Sequence, residues 1–265
     1  MSRQITLATL AAMKQKGEKI VSLTAYDAAF ATILEQAGVD VILVGDSLGM
    51  VLHGRDDTLG VSMTDMVYHT RLVSDGCKFP LIVSDMPYKS YTTRDQALEN
   101  AERLVNEGGA EVVKLEGGGP IAGIVQYLRE RDIPVCGHLG LTPQSVRELG
   151  GYRVQGREKK DAEIILADAR LLQEAGAEML VLECIPHTLA EQITGELTIP
   201  VIGIGAGRNC DGQVLVLYDV LGITRRRLKF SRDYLATSQS VLEAIEKYVQ
   251  EVRSEKFPAT EHQFE

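Results

Sequence analysis

Val41-Ile42-Leu43-Val44-Gly45-Asp46-Ser47-Leu48-Gly49 decides the fold: an apolar run rich in β-branched residues stops abruptly at glycine, aspartate and serine. Because these last residues favour loops, the run predicts a buried strand with a carboxylate at its end. The same order of glycine, apolar residues and carboxylate occurs at 109–116 and at 176–183, each time after a helical pattern. A glycine in that position typically closes a helix. The chain is therefore predicted to repeat a helix–strand unit that delivers acidic groups to one edge of a sheet.

Eight strands alternate with helical patterns along the chain. The predicted strands are Lys19–Ala25, Val39–Gly45, Pro80–Asp85, Glu111–Glu116, Pro134–His138, Glu178–Cys184, Pro200–Ile204 and Gln213–Tyr218. Strands joined by helices run parallel, and eight of them close into a (β/α)8 TIM barrel, an α/β fold. A doubly wound open sheet is the alternative, because periodicity alone does not prove closure. The 265 residues, 45% of them hydrophobic, are predicted to form a single barrel domain over residues 1–265.

Local signals predict three further helical segments. A short amphipathic helix between Thr6 and Gly17 precedes the first strand, and we expect it to cap the barrel floor. Thr142-Pro143 supplies an N-cap followed by a first-turn proline, which predicts the start of a helix. The residues from Tyr234 to Val252 form the last amphipathic pattern.

The composition excludes several classes of partner. The net charge is −9 and the isoelectric point is about 5.2, so no binding to nucleic acid or to an acidic membrane surface is expected. No apolar run approaches the roughly 20 residues of a transmembrane helix, and Met1 to Lys19 lacks the apolar core of a secretory signal. We therefore expect a cytoplasmic protein. The four cysteines have no C-x-x-C spacing and are predicted to be reduced, structural thiols.

Polar side chains collect where the predicted strands end. These residues are Asp46, Asp85, Lys114, Glu116, His138 and Glu183. Carboxylates that converge on a partly dry rim repel one another and take up protons unless a cation is present. The acidic ligands are all oxygen and no His/Cys cluster has zinc spacing, which favours Mg²⁺, with some ligands bound through water.

Each of these residues also has a structural interpretation. An aspartate at a strand end, such as Asp46 or Asp85, often forms only a turn. Lys114 and Glu116 lie on the same side of one strand, where they are able to form a structural ion pair. His138 alone is typical of a core histidine, whereas a buried Glu183 with a raised pKa suits a general base. The coincidence of all these residues on one rim favours a functional site.

Two other motifs leave alternatives open. Gly203-Ile204-Gly205-Ala206-Gly207 follows the seventh strand, where TIM barrels often bind phosphate, but close backbone packing explains the glycines as well. The basic run Arg225-Arg226-Arg227 is unusual in an acidic protein, and it is interpreted as a solvated loop or a subunit contact.

The chain resembles the ketopantoate hydroxymethyltransferase family over nearly its full length. The resemblance rests on ordered motifs at 24–27 (TAYD), 44–50 (VGDSLGM), 114–118 (KLEGG), 135–144 (VCGHLGLTPQ), 150–156 (GGYRVQG), 182–184 (LEC), 200–207 (PVIGIGAG) and 261–262 (EH). It implies a Mg²⁺-dependent barrel, usually a homodecamer, that uses 5,10-methylenetetrahydrofolate and 3-methyl-2-oxobutanoate to make 2-dehydropantoate, a pantothenate precursor. One departure follows Thr224, where Arg225–Arg227 replaces a segment expected to contain glycine and proline.

The resemblance also implies roles for residues of this chain. The implied metal ligands are Asp46, Asp85 and Glu116, the implied oxoacid-binding residues are Asp46, Ser47, Asp85, Lys114 and His138, and the implied proton acceptor is Glu183. No segment carries a recognisable folate signature.

Two rival functions are kept at this point. A Mg²⁺-dependent carbon–carbon lyase on the same type of barrel would also gather carboxylates around an oxoacid, but a Lys-Lys-Cys-Gly-His segment of the isocitrate-lyase type is absent from the sequence. A barrel that binds an oxoacid or a metal without turnover is the non-enzymatic alternative.

Overall fold

A computed structural model describes residues 4–224 and 227–265, and its strands form a closed parallel barrel. The strands β1 to β8 are Ile20–Thr24, Val41–Val44, Leu81–Asp85, Val112–Glu116, Val135–Gly140, Met179–Glu183, Val201–Ile204 and Gly212–Leu215. Each strand pairs in parallel with the next, and β8 pairs with β1. The predicted TIM barrel is confirmed, and the open sheet is excluded because the first and last strands are hydrogen-bonded neighbours.

Helices follow most strands and cover the outside of the barrel. Within the described residues, α1 to α10 are Leu7–Lys16, Ala28–Ala37, Leu48–Val51, Met63–Gly76, Arg94–Asn106, Gly119–Arg129, Lys159–Glu174, His187–Glu196, Leu217–Val220 and Val241–Arg253. Side-chain caps set several of their starts: Asp27 accepts the Phe30 N–H and Thr93 accepts the Gln96 N–H. Gly38 closes α2 in the left-handed conformation, with a φ of +82°.

Helix α1 caps the N-terminal end of the barrel. The Ile5 N–H, just before α1, donates to the Phe79 carbonyl oxygen at 2.7 Å. Lys14 donates to the Thr194 carbonyl oxygen at 2.9 Å and to the Asp211 carboxylate at 2.6 Å. These acceptors precede β3, β7 and β8, so α1 lies where strands enter the barrel, as predicted.

Three predicted segments need correction. The eighth strand ends at Leu215 rather than Tyr218, because the Leu217 N–H donates to Thr24 Oγ1 and the chain turns into α9. The helix expected after Thr142 is only a 3-10 turn, Pro143–Ser145. The last helix begins at Val241, where Ser240 Oγ accepts the Glu243 N–H, and not at Tyr234.

The interior of the barrel is a packed core. All residues of β1, β3 and β4 are buried, and the cavity inside the barrel beneath Lys114 measures only about 10 Å³. The four cysteines are buried free thiols, as predicted. None of the helices in residues 4–224 and 227–265 combines the length and apolar character of a membrane span. Since the lumen is filled, chemistry is confined to the rims, and in TIM barrels it is found at the C-terminal rim.

Candidate active site

The predicted polar residues meet at the C-terminal rim. Asp46 follows β2, Asp85 ends β3, Lys114 and Glu116 lie on β4, His138 lies on β5 and Glu183 ends β6. Parallel pairing places Asp85 beside Lys114 and Glu116 beside His138. Five of the six residues are buried, and the side chain of the sixth, Glu183, is 15% exposed. They form a continuous row across five neighbouring strands, which we call the rim row.

Lys114 is the buried cation of the rim row. Its Nζ lies 2.6 Å from Asp85 Oδ1 and 3.9 Å from Glu116 Oε1. Its main partner is therefore Asp85, and not Glu116 as the ion-pair interpretation of the sequence supposes. Burial lowers the pKa of the Lys114 ammonium, but the carboxylates of Asp85, Glu116 and Asp46 outweigh burial and raise it above its usual value. Lys114 is consequently charged at all physiological pH values.

Asp46 and Asp85 form the acidic end of the rim row. The Asp46 N–H donates to Asp85 Oδ2 at 3.0 Å, so the second carboxylate is tied to the backbone of the first. Burial raises the pKa of Asp46 well above its usual range, and the nearby carboxylates of Asp85 and Glu116 raise it further. Both carboxylates bond to groups outside their own turns, which argues against a purely local turn role.

Ser47 stands beside this acidic end. It precedes α3, makes no side-chain capping bond, and places its Oγ 2.9 Å from the Tyr26 hydroxyl. A Cβ at Gly45 would lie 2.7 Å from Ser47 Oγ and 3.5 Å from Asp85 Oδ2. Gly45 therefore allows the serine and the two carboxylates to approach one another.

His138 lies between Glu116 and Glu183 at the other end of the rim row. Its Nδ1 lies 3.3 Å from Glu116 Oε1 and its Nε2 lies 3.4 Å from Glu183 Oε2, yet neither ring nitrogen has a hydrogen bond of good geometry within the described residues. Burial and the nearby Lys114 lower the pKa of His138 more than Glu183 raises it, which favours the neutral ring. Both ring nitrogens of this buried imidazole are therefore available to a water molecule or a ligand at the rim.

The carboxyl groups of Glu116 and Glu183 both have raised pKa values. Burial raises the pKa of Glu116 to about 7, against the opposing effect of the Lys114 ammonium. Burial likewise raises the pKa of Glu183, and His138 partly offsets the rise. A carboxylate with a raised pKa at a rim is a stronger base than an exposed glutamate, which fits Glu183 for proton abstraction.

Gln144 is a site residue that the sequence analysis does not identify. It is 5% exposed, and its Nε2 donates to Asp46 Oδ2 at 2.9 Å while its N–H donates to Glu116 Oε2 at 2.9 Å. The signal for it is weak: a glutamine six residues beyond the predicted strand end at His138, inside the motif at 135–144. Gln144 lies in the 3-10 turn Pro143–Ser145, and this turn brings it to the rim row.

The donors of the rim row suit a divalent cation. Within the described ranges, no three His, Cys, Asp or Glu side chains are arranged as a complete set of metal ligands. Mg²⁺ needs only one or two carboxylates from the protein and takes its other oxygens from water or substrate. The adjacent Asp46 and Asp85 provide such a pair, and a cation there would offset the repulsion between carboxylates that, after burial, raises the pKa of Asp46.

The glycines after β7 are explained by close packing. A Cβ at Gly205 would lie 3.0 Å from the Phe230 ring, and one at Gly207 would lie 2.6 Å from His187 Cβ. The Gly207 carbonyl oxygen accepts a hydrogen bond from Gln213 Nε2 at 2.9 Å. These contacts support the packing alternative over phosphate binding. Of the basic run, residues 225 and 226 lie outside the described residues, and Arg227 is exposed.

Gly140 holds the backbone that carries Glu183. It has a φ of +91°, and a Cβ there would lie 2.2 Å from the Glu183 carbonyl oxygen, which accepts the Leu141 N–H at 2.8 Å. Gly140→Ala is therefore expected to lower the free energy of unfolding by about 2 kcal/mol or more. Urea unfolding followed by circular dichroism measures the change.

The control for this substitution is Gly195→Ala in α8, where a Cβ would meet no atom within 4 Å. A helical alanine at such a position is neutral or slightly stabilising. Equal stability of both variants and the wild type would contradict the proposed contact.

A closed parallel barrel with buried acids, a lysine and a histidine at its C-terminal rim defines the class: a TIM-barrel enzyme acting at that rim. Solved structures agree on the fold. Phosphonopyruvate hydrolase superposes with a TM-score of 0.63 at 13% identity, covering 96% of both chains. The 2,3-dimethylmalate lyase, a member of the PEP mutase/isocitrate lyase superfamily, gives 0.57 at 17% identity, covering 82% of this chain and 81% of that one.

Sequence comparison identifies the family within this class. The ketopantoate hydroxymethyltransferase family model matches residues 4–260. The 3-methyl-2-oxobutanoate hydroxymethyltransferase of Nitrosococcus oceani is 57% identical over 259 residues, covering 97% of this chain and 98% of that protein. The protein of the same name from Halorhodospira halophila is 53% identical over 261 residues, covering 98% and 95%. The chain belongs to the ketopantoate hydroxymethyltransferase family, and it is an enzyme that transfers a hydroxymethyl group, as the resemblance predicts.

Proposed function

We propose that this enzyme transfers a hydroxymethyl group from 5,10-methylenetetrahydrofolate to 3-methyl-2-oxobutanoate through a metal-stabilised enolate. One water is consumed, and the products are 2-dehydropantoate and tetrahydrofolate. The names of the relatives at 53% and 57% identity support the acceptor and the group transferred. The observation that carries the mechanism is the rim row itself, which has paired carboxylates at one end and a buried base at the other.

The acidic end is the proposed site for the oxoacid head group and for Mg²⁺. Asp46, Asp85 and Glu116 would hold the cation, some of them through water, because their carboxylate oxygens also accept hydrogen bonds or an ion pair from the protein. Bound there, Mg²⁺ supplies positive charge that stabilises the enolate oxygen of the substrate. The Lys114 ammonium places a second positive charge beside the substrate carboxylate. The Ser47 hydroxyl donates a hydrogen bond to the same carboxylate.

Glu183 is the proposed proton acceptor. Its carboxylate removes the proton from C3 of the oxoacid, and the electron pair left behind forms the enolate. Water adds to the methylene carbon of the folate and both of its carbon–nitrogen bonds break, which releases tetrahydrofolate and leaves the carbon as formaldehyde. C3 of the enolate adds to this carbon, and the aldehyde oxygen takes up a proton to become the new hydroxyl group. His138, whose Nε2 lies 3.4 Å from Glu183 Oε2, hydrogen-bonds to the substrate beside the base.

The assembly proposed for this enzyme comes from the family resemblance, and the location and the excluded partners come from the charge and apolar pattern of the sequence. A homodecamer in the cytoplasm is expected, with no nucleic-acid or membrane partner. Sedimentation velocity of the purified protein measures the assembly directly, and a monomer or dimer at micromolar concentration would contradict it.

A reconstitution assay tests the proposed reaction. The purified enzyme is incubated with 3-methyl-2-oxobutanoate, 5,10-methylenetetrahydrofolate and Mg²⁺, and 2-dehydropantoate is measured by mass spectrometry. Product is expected only with all components, and removal of the metal by EDTA should abolish it. Cleavage of a 2-oxoacid without folate would instead indicate a lyase, and ligand binding without any product would indicate a binding protein.

A further inference from the structure

Gln144 makes an unusually complete set of side-chain hydrogen bonds. Its Nε2 donates to Asp46 Oδ2 and to the Met86 carbonyl oxygen, both at 2.9 Å. Its Oε1 accepts the Tyr91 hydroxyl at 2.6 Å. The side chain therefore links the turn after β5 to the residues that follow β2 and β3.

The orientation of this amide is fixed by its partners. A flipped amide would place Oε1 against the Asp46 carboxylate and the Met86 carbonyl oxygen, which are both acceptors. Tyr91 is itself tied to β4, because its hydroxyl lies 3.3 Å from the Glu116 N–H, which donates to it. The amide thus has one favourable orientation, in which its donors face Asp46.

The side chain and the backbone of Gln144 donate hydrogen bonds to different carboxylates. The N–H of residue 144 donates to Glu116 Oε2, and any residue except proline supplies that donor. Only the side-chain amide reaches Asp46. Substitution of the side chain therefore tests its effect on Asp46 while the bond to Glu116 is retained.

We infer that Gln144 is a positioning residue, whose amide holds Asp46 Oδ2 and thereby fixes the direction of Asp46 Oδ1 toward the cation and oxoacid. The inference rests on the proposed function, because it assumes that Asp46 binds the metal. Partners that orient a ligating carboxylate typically change metal affinity by about 10–100-fold when they are removed. Gln144 donates both amide hydrogens to protein oxygens, so its role is orientation of Asp46 and not contact with substrate.

The test is the affinity for Mn²⁺, measured by electron paramagnetic resonance without substrate. Gln144→Met keeps the length and burial of the side chain but removes the amide. It is expected to weaken Mn²⁺ binding by about 10–100-fold, and to raise the metal concentration needed for half-maximal turnover more than it lowers kcat. Gln126→Met is the matched control, because Gln126 is exposed on α6 and bonds only to Glu130 among the described contacts.

Tyr91→Phe provides a second variant if Gln144→Met does not fold. It removes the donor that holds Gln144 Oε1, and it should weaken Mn²⁺ binding in the same direction by a smaller factor. Wild-type affinity in the folded variants would overturn the role of Gln144 and leave the proposed reaction untouched. Absence of Mn²⁺ binding by the wild-type enzyme would overturn the proposed metal site and this inference together.

Discussion

Glu183→Gln is expected to reduce turnover by about 10²–10⁴-fold, the range typical for loss of a general base. The amide keeps the size of the side chain but cannot take the C3 proton. Binding of 3-methyl-2-oxobutanoate should be retained, because the head group is proposed to bind at Asp46, Asp85 and Lys114, at the other end of the rim row. Steady-state kinetics measures turnover, and isothermal titration calorimetry with Mg²⁺ present measures binding.

The pH profile of the wild-type enzyme provides a control for this prediction. Glu183 accepts a proton only when ionised, and burial raises its pKa. Activity should therefore decline as the pH falls through that raised pKa, at a higher pH than an exposed glutamate would give. Turnover of Glu183→Gln at the wild-type rate would show that Glu183 is not the base.

Lys114→Met is expected to be the most destabilising substitution in the rim row. It leaves Asp85 and Glu116 buried without their cation, and breaking a buried ion pair from one side costs about 3–5 kcal/mol. Turnover should also fall sharply, because the positive charge proposed to face the substrate carboxylate is lost. Urea unfolding in EDTA measures the loss of stability without interference from bound metal.

Lys159→Met is the matched control for Lys114. Lys159 lies at the start of α7, its side chain is 92% exposed, and its partner Glu163 is 3.9 Å away. An exposed pair of this kind contributes roughly 0–1 kcal/mol. If the Lys114 variant is no less stable than the Lys159 variant, the rim row does not depend on its buried cation.

Most of the barrel is predictable because its signals are local. Each strand is a short apolar run bounded by glycine, proline or a polar residue, and helix caps such as Thr93 can be identified within four residues. The prediction fails at Tyr218, because the end of β8 depends on a hydrogen bond from Leu217 to Thr24, 193 residues away. Contacts between distant parts of the chain are invisible to periodicity.

The rim row is predictable for a related reason. Parallel strands in a barrel end at the same rim, so Asp46, Asp85 and Glu183 must share it once the strands are assigned. The pairing of Lys114 with Asp85 rather than Glu116 is not predictable, since it depends on the register between β3 and β4. Gln144 is missed because the 3-10 turn carrying it gives no periodic pattern.

The fold alone does not separate the rival chemistries. The same barrel occurs in 2,3-dimethylmalate lyase and in phosphonopyruvate hydrolase at 17% and 13% identity, which is too distant to assign a reaction. The family match over residues 4–260 identifies the chain as a hydroxymethyltransferase. The rim row supports the proposal that an oxoacid is deprotonated there.

The most direct test of that account is exchange of the C3 proton of 3-methyl-2-oxobutanoate in D₂O, followed by proton NMR. The experiment needs no folate, so it isolates the enolisation step. We expect the wild-type enzyme to catalyse exchange with Mg²⁺, and we expect EDTA or Glu183→Gln to abolish it. Exchange that is absent with Mg²⁺, or that continues equally in EDTA, would contradict metal-assisted proton removal at the rim row.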